Sequence, residues 1–140
     1  MNIAALVSRG LLGLIFTVFG LNGFLHFLPQ PPMPEAAVAF FGGLAATGYM
    51  LPLVFGTQVA GGLLLLSGLV PLGLVVLAPV VVNIVAFHLF LAPEGLGLAL
   101  VVAALESFLA WSHRDAYRPL FVGGQGEPGR VAAPHAVAAR

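Results

Sequence analysis

The 140-residue sequence contains no cysteine. That absence excludes disulfide frameworks, Cys-ligated zinc or iron–sulfur centres and any thiol relay, which leaves carboxylate, His and amide side chains for redox or metal work. Charge is scarce as well: 7% of residues are charged, the formal net charge is zero, and the five basic residues form no cluster. A nucleic-acid surface and a polybasic lipid-binding segment are excluded on that count. What fills the chain is apolar, with 60% hydrophobic residues and a mean hydropathy of +1.08. A soluble fold of this length buries only about two-thirds of the surface of its unfolded chain. Too much of this sequence would then face water, so its solvent is lipid, and one bundle is the natural size.

Four stretches are long enough to cross a hydrocarbon core of about 30 Å, which takes roughly 20 helical residues. They are residues 3–28, 49–66, 70–91 and 95–112. The first does not read as a cleavable signal peptide: the apolar run is too long, Arg9 sits inside it, and no small-residue cleavage site follows. Ser67-Gly68 and Ala92-Pro93-Glu94 are connections so tight that the last three crossings must be antiparallel neighbours. Between the first two lies Pro29-Gln30-Pro31-Pro32-Met33-Pro34, too stiff and polar to span. Glu35 to Thr47 follows, with Phe40 and Phe41 among Ala and Gly, and reads as a short interfacial helix capped by Gly48. The expected fold class is therefore all-α, an integral membrane four-helix bundle with a short interfacial helix between the first two transmembrane helices. Residues 123–140, rich in Gly, Ala and Pro, read as a disordered tail without a function of their own.

Orientation follows from the arginines, because positive charge near helix ends is retained on the cytoplasmic side. Arg114, Arg118, Arg130 and Arg140 all follow the fourth crossing, and Arg9 is near the start of the first. Neither intervening outer segment, 29–48 or 92–95, carries Lys or Arg. Both termini are expected in the cytoplasm, with Tyr49, Trp111 and Tyr117 as interfacial aromatics.

Polar residues inside the crossings are the functional suspects, since a charge at the bilayer centre costs roughly 2.5–3.5 kcal/mol on insertion scales. From the helical rise, Arg9 lies roughly 10 Å, Glu106 roughly 8 Å and Gln58 roughly 13 Å from the cytoplasmic ends of their helices. Those depths define an inner polar layer of Arg9, Gln58 and Glu106, with Arg9 and Glu106 expected to pair. The plainer role for that layer is a clamp on helix register. The sharper one is a binding or proton-relay site.

Counted from the outer side, Asn22, His26, Asn83 and His88 form a second layer. Asn22 and His26 are four apart and share a helix face, whereas the five-residue step from Asn83 to His88 does not put them on one face. Pro79 removes a bond to the Val75 carbonyl and should kink the third crossing, with Asn83 one turn later as a local compensator. The plain assignment for both histidines is structural. Beyond it, two histidines at similar depth suit the head group of a quinone or other small lipophile, and less readily a b-type haem or a metal. Gly10, Gly13, Thr17 and Gly20 on the first crossing, with Gly61 and Gly62 on the second, read as seams of close backbone packing.

Several short motifs, weak singly, become specific in their order. Arg9-Gly10-Leu11-Leu12-Gly13 opens the first crossing, and Phe19-Gly20-Leu21-Asn22-Gly23-Phe24 with Phe27-Leu28-Pro29 closes it. Ala46-Thr47-Gly48-Tyr49, Gly61-Gly62-Leu63-Leu64-Leu65, Ala78-Pro79, Val82-Asn83-Ile84 and Phe87-His88 follow, then Glu106, Trp111 and Arg114. Over residues 7–120 this resembles the DoxX-like membrane proteins, a family that includes the small DoxD subunit of an archaeal thiosulfate:quinone oxidoreductase. The resemblance implies a four-helix bundle in the bacterial inner membrane. Two positions depart from the family pattern: Asn22-Gly23 stands where many relatives have Asn-Lys, and Gln58 where an acidic residue precedes the glycines. A role resting on those charges does not carry over.

Three functions are consistent with these features. The chain is an accessory or small-lipophile (quinone-type) binding subunit of a membrane redox system, working with a redox partner protein because it has no redox motif of its own. Alternatively it is a structural or assembly protein of a membrane complex. A minimal transporter or proton path through Glu106 and Arg9 is the third, although four helices are few for this without homo-oligomerisation. On none of these readings is it an enzyme by itself.

Overall fold

The computed structural model describes residues 3–122; the tail expected to be disordered, 123–140, lies outside them. Six α-helices follow in order: α1 (Ile3–Leu25), α2 (Glu35–Ala46), α3 (Met50–Ser67), α4 (Val70–Phe90), α5 (Leu96–Ser112) and α6 (Arg114–Phe121). A 3-10 turn, Pro93–Gly95, leads into α5. With that turn included, α1, α3, α4 and α5 are long and apolar enough to cross a membrane. The described chain is all-α, and the protein is a multi-pass membrane protein in contact with lipid.

Helix ends sit where the local sequence stops α geometry. Gly68 after α3 and Gly48 after α2 adopt φ of 94° and 75°, conformations that cost glycine nothing. The first crossing ends at Leu25 rather than at residue 28, because His26 takes a left-handed φ of 52°. Its amide still donates to the Asn22 carbonyl at 2.8 Å, closing the last turn. The Asn22 side-chain Oδ1 then accepts from the Leu28 amide at 2.7 Å, which turns the chain ahead of Pro29.

The four crossings form an antiparallel ring in which α1 packs on α3, α3 on α4, α4 on α5, and α5 back on α1. The α1–α3 seam is the closest. A Cβ on Gly20 would stand 2.9 Å from the Phe55 carbonyl oxygen, and one on Gly62 would stand 2.8 Å from that of Gly13. Small residues here let backbones touch where side chains would hold them apart. Gly61 admits Leu77 of α4 in the same way. Gly10 differs from the expected seam: nothing lies within 4 Å of its Cβ position, so it faces outward.

We call the end of the bundle where α1 begins and α5 stops the terminal end, and the opposite end the far end. The buried core, Ala5, Leu12, Phe16, Leu65, Val70, Leu74, Leu77, Val81, Val102 and Leu109, occupies the terminal half. At the far end α2 lies against α4 through Phe40 and Phe41, whose rings are 5.6 and 5.3 Å from that of Phe87. α6 is a helix that sequence periodicity missed, being two turns long with Pro119 inside it. It folds back at the terminal end, where the Tyr117 hydroxyl donates to the Pro71 carbonyl at 3.1 Å.

Candidate functional site

The far half of the ring forms an open cavity of about 610 Å³. Its walls come from every crossing: Phe16, Phe19 and Phe24 from α1, Phe55 from α3, Ile84 from α4, and Leu98 and Val102 from α5. Phe24 and Phe55 meet edge to face at 6.0 Å. Gln30, Met33 and Phe41 close it from above, so the segment after α1 and helix α2 form its roof. Besides Gln30 in the roof, four polar groups, Asn22, His26, Gln58 and His88, line this otherwise apolar space.

Each of the four is placed by its local backbone. Asn22 is buried, and with its Oδ1 committed to Leu28 its amide nitrogen retains two donors. His26 reaches the cavity from the turn, one residue past the end of the helix. Nδ1 of His88 lies 2.9 Å from the Ala92 carbonyl. A carbonyl only accepts, so Nδ1 carries the proton and Nε2 of the neutral ring is an acceptor. That ring packs on Gly95, where a Cβ would collide with it, which ties its position to the tight turn before α5. No hydrogen bond within the described chain engages the Gln58 side chain. The cavity thus presents amide donors from Asn22 and Gln58 and an acceptor from His88, within largely apolar walls. Such a set fits a flat, hydrogen-bonding head group on an apolar body.

Two expected memberships change. Gln58, assigned by depth to the inner layer, lines the far cavity instead. It sits near the middle of α3, where depth does not separate the layers and the helix face decides. Asn83, expected in the outer layer, is exposed on the outside of α4. Five residues turn a helix through about 500°, so with His88 facing the cavity Asn83 faces away.

The expected Arg9–Glu106 pair does not form. Among the described residues the one ion pair is Arg118–Asp115 at 3.8 Å, and it is solvent-exposed. Arg9 reaches along α1 to the α3–α4 turn, where its Nη1 lies 3.6 Å from the Cβ position of Gly68. There the guanidinium meets the negative end of the α3 dipole, and a long side chain prefers that to the bundle centre. Glu106 is 8% exposed on α5 and faces the α4 side, and its Oε1 has no hydrogen-bond partner. Tyr117 of α6 lines the same cleft, and burial raises its hydroxyl pKa, with the Glu106 charge adding to the effect.

Sequence reasoning missed the aromatic walls and the roof. Their signal was the density of phenylalanine at the outer end of the first crossing and in the 29–48 segment, which reads equally well as lipid contact. Among the described residues no three His, Asp or Glu side chains come together to hold a metal ion. Comparison with family models, with curated proteins and with solved structures finds no match. Fold and composition therefore define the class by themselves: a multi-pass membrane protein of four apolar crossings around a far-end cavity.

Proposed function

We propose that the protein is a small-lipophile binding subunit of a membrane redox system, holding a quinone-type head group in the far cavity. The carrying observation is the meeting of Asn22, His26, Gln58 and His88 in one largely apolar cavity of about 610 Å³. That volume is in the usual range of roughly 300–1,000 Å³ for small-molecule sites. Quinone carbonyls accept from the amides of Asn22 and Gln58, and the hydroxyl of the reduced form donates to His88 Nε2. Electrons come from a partner protein, since no side chain of this chain supplies a redox centre. The DoxX-like motif order, an inner-membrane location and cytoplasmic termini belong to the same reading. That four of the five arginines follow α5 in the sequence supports that orientation.

The test is purification in mild detergent, extraction of bound lipid, and titration of the stripped protein with decylubiquinone by calorimetry. One quinone bound per chain is expected, weakened about tenfold by Gln58→Leu or His88→Phe through loss of one hydrogen bond each. Neither bound quinone nor titratable binding, together with a stoichiometric protein partner, would replace this reading with that of an assembly protein. One observation already favours that second role: Asn83 is exposed on the lipid side of α4, where an amide promotes contact with a helix of another chain.

A further inference from the structure

Between α4 and α5, on the outside of the ring, runs a second hollow of about 490 Å³. It opens to lipid, for Val75 and Val82 on its rim are 53% and 69% exposed. Ala78, Ala103 and Ala110 give it depth by their small size. Its walls are apolar except for Glu106, Ser107 and Tyr117. Neither hydroxyl is available to the carboxylate: Ser107 Oγ donates to the Ala103 carbonyl at 2.7 Å, and Tyr117 donates to that of Pro71 at 3.1 Å. Glu106 Oε1 is accordingly buried without a partner.

No arginine of the described chain supplies the missing charge. Arg9 lies at the α3–α4 turn, Arg114 sits over the Trp111 ring at 5.3 Å, and Arg118 pairs with Asp115. A lone carboxylate among apolar walls is costly, and it is relieved by taking up a proton or by pairing with a positive charge from outside. An inorganic cation such as calcium needs six or more oxygen ligands, and one carboxylate with two hydroxyls falls short. A cation that brings its own apolar body needs only the charge and the cleft.

We propose that the α4–α5 groove is a binding site for a lipophilic organic cation, whose positive centre pairs with Glu106 and whose apolar body lies against Val75, Ala78, Val82 and Ala110. The site is separate from the far cavity, shares none of its polar residues, and is reached sideways from the bilayer.

Tetraphenylphosphonium is the probe, measured by equilibrium binding to the full chain in lipid nanodiscs with empty nanodiscs as the blank. Saturable binding of one cation per chain is expected. Glu106→Gln should weaken it about ten- to a hundredfold, the range of a lost charged contact. Ala78→Leu fills the groove from its exposed rim and should weaken binding as well, while Arg9→Gln should leave it unchanged. Circular dichroism checks that each variant is folded, and if Glu106→Gln is not, Ala78→Leu decides. Absence of saturable binding in the wild type overturns the proposal. So does wild-type affinity in folded Glu106→Gln or in Ala78→Leu, which would assign the groove to lipid or to another helix.

Discussion

In the terminal half of the bundle, Leu12, Leu65, Leu74, Leu77 and Leu109 fill the space between four helices, whereas the far half surrounds a cavity of about 610 Å³ with rings and amides. The same four helices build both halves. The difference lies in what their inward positions carry: leucine near one end, phenylalanine with scattered amides and imidazoles near the other. Where leucines interdigitate, helix positions are fixed by packing. Where phenylalanines meet edge to face, as Phe24 and Phe55 do, rigid rings leave a gap that flexible side chains would have closed. Tight packing and open space are thereby divided between the two ends.

The largest expected effect tests that division directly. Leu65→Ala removes a side chain with 0% exposure. In lipid the transfer term falls away and the cavity term remains, so the loss should be about 1–3 kcal/mol. Leu51→Ala only enlarges the existing hollow, because Leu51 is already a wall of the far cavity. It should cost under about 1 kcal/mol by the same reasoning. Unfolding by sodium dodecyl sulfate in mixed micelles measures both, and equal losses would erase the contrast between the halves.

Asn22→Ala probes a far-end polar group that has a structural role as well. It strands the Leu28 amide, at a cost of about 1–2 kcal/mol, and should also reduce decylubiquinone affinity. Loss of stability with full affinity would assign Asn22 to the turn alone. Phe41→Ala opens the roof and removes ring contacts worth about 0.5–1.5 kcal/mol. Faster quinone exchange in stopped-flow fluorescence is expected, and an unchanged rate would put the entry path elsewhere. The smallest effect sharpens the terminal end: Arg9→Ala and Glu106→Ala should be additive within about 0.5 kcal/mol, as for sites sharing no contact. Coupling beyond that would restore the ion pair that the geometry separates.

Hydropathy made the crossings legible, and so did the turn residues between them, because lipid permits few alternatives to a helix of the right length. The glycine seam was legible too, at Gly13, Gly20 and Gly62, since spacing of three and four places residues on one face. Depth was readable by counting, and azimuth was not. Arg9 and Glu106 stand at matching heights on different sides of the bundle, and Gln58 near the middle of α3 belongs to the layer its face selects. Asn83 shows the same limit, sharing its helix with His88 but not its face. The early end of α1 depended on a left-handed His26, a conformation that no residue pattern announced.

The hydrogen bond from Tyr117 to Pro71 also bears on biogenesis, since it joins a helix made late to the start of one made earlier. Tyr117 follows α5 in the chain, so the latch is synthesised after the helix it fastens. Without that bond α5 is unlatched and its groove lacks the tyrosine at its terminal edge. A chain stopped after Ser112 would keep all four crossings and lose the fastening, which makes α6 the closing stitch of the fold.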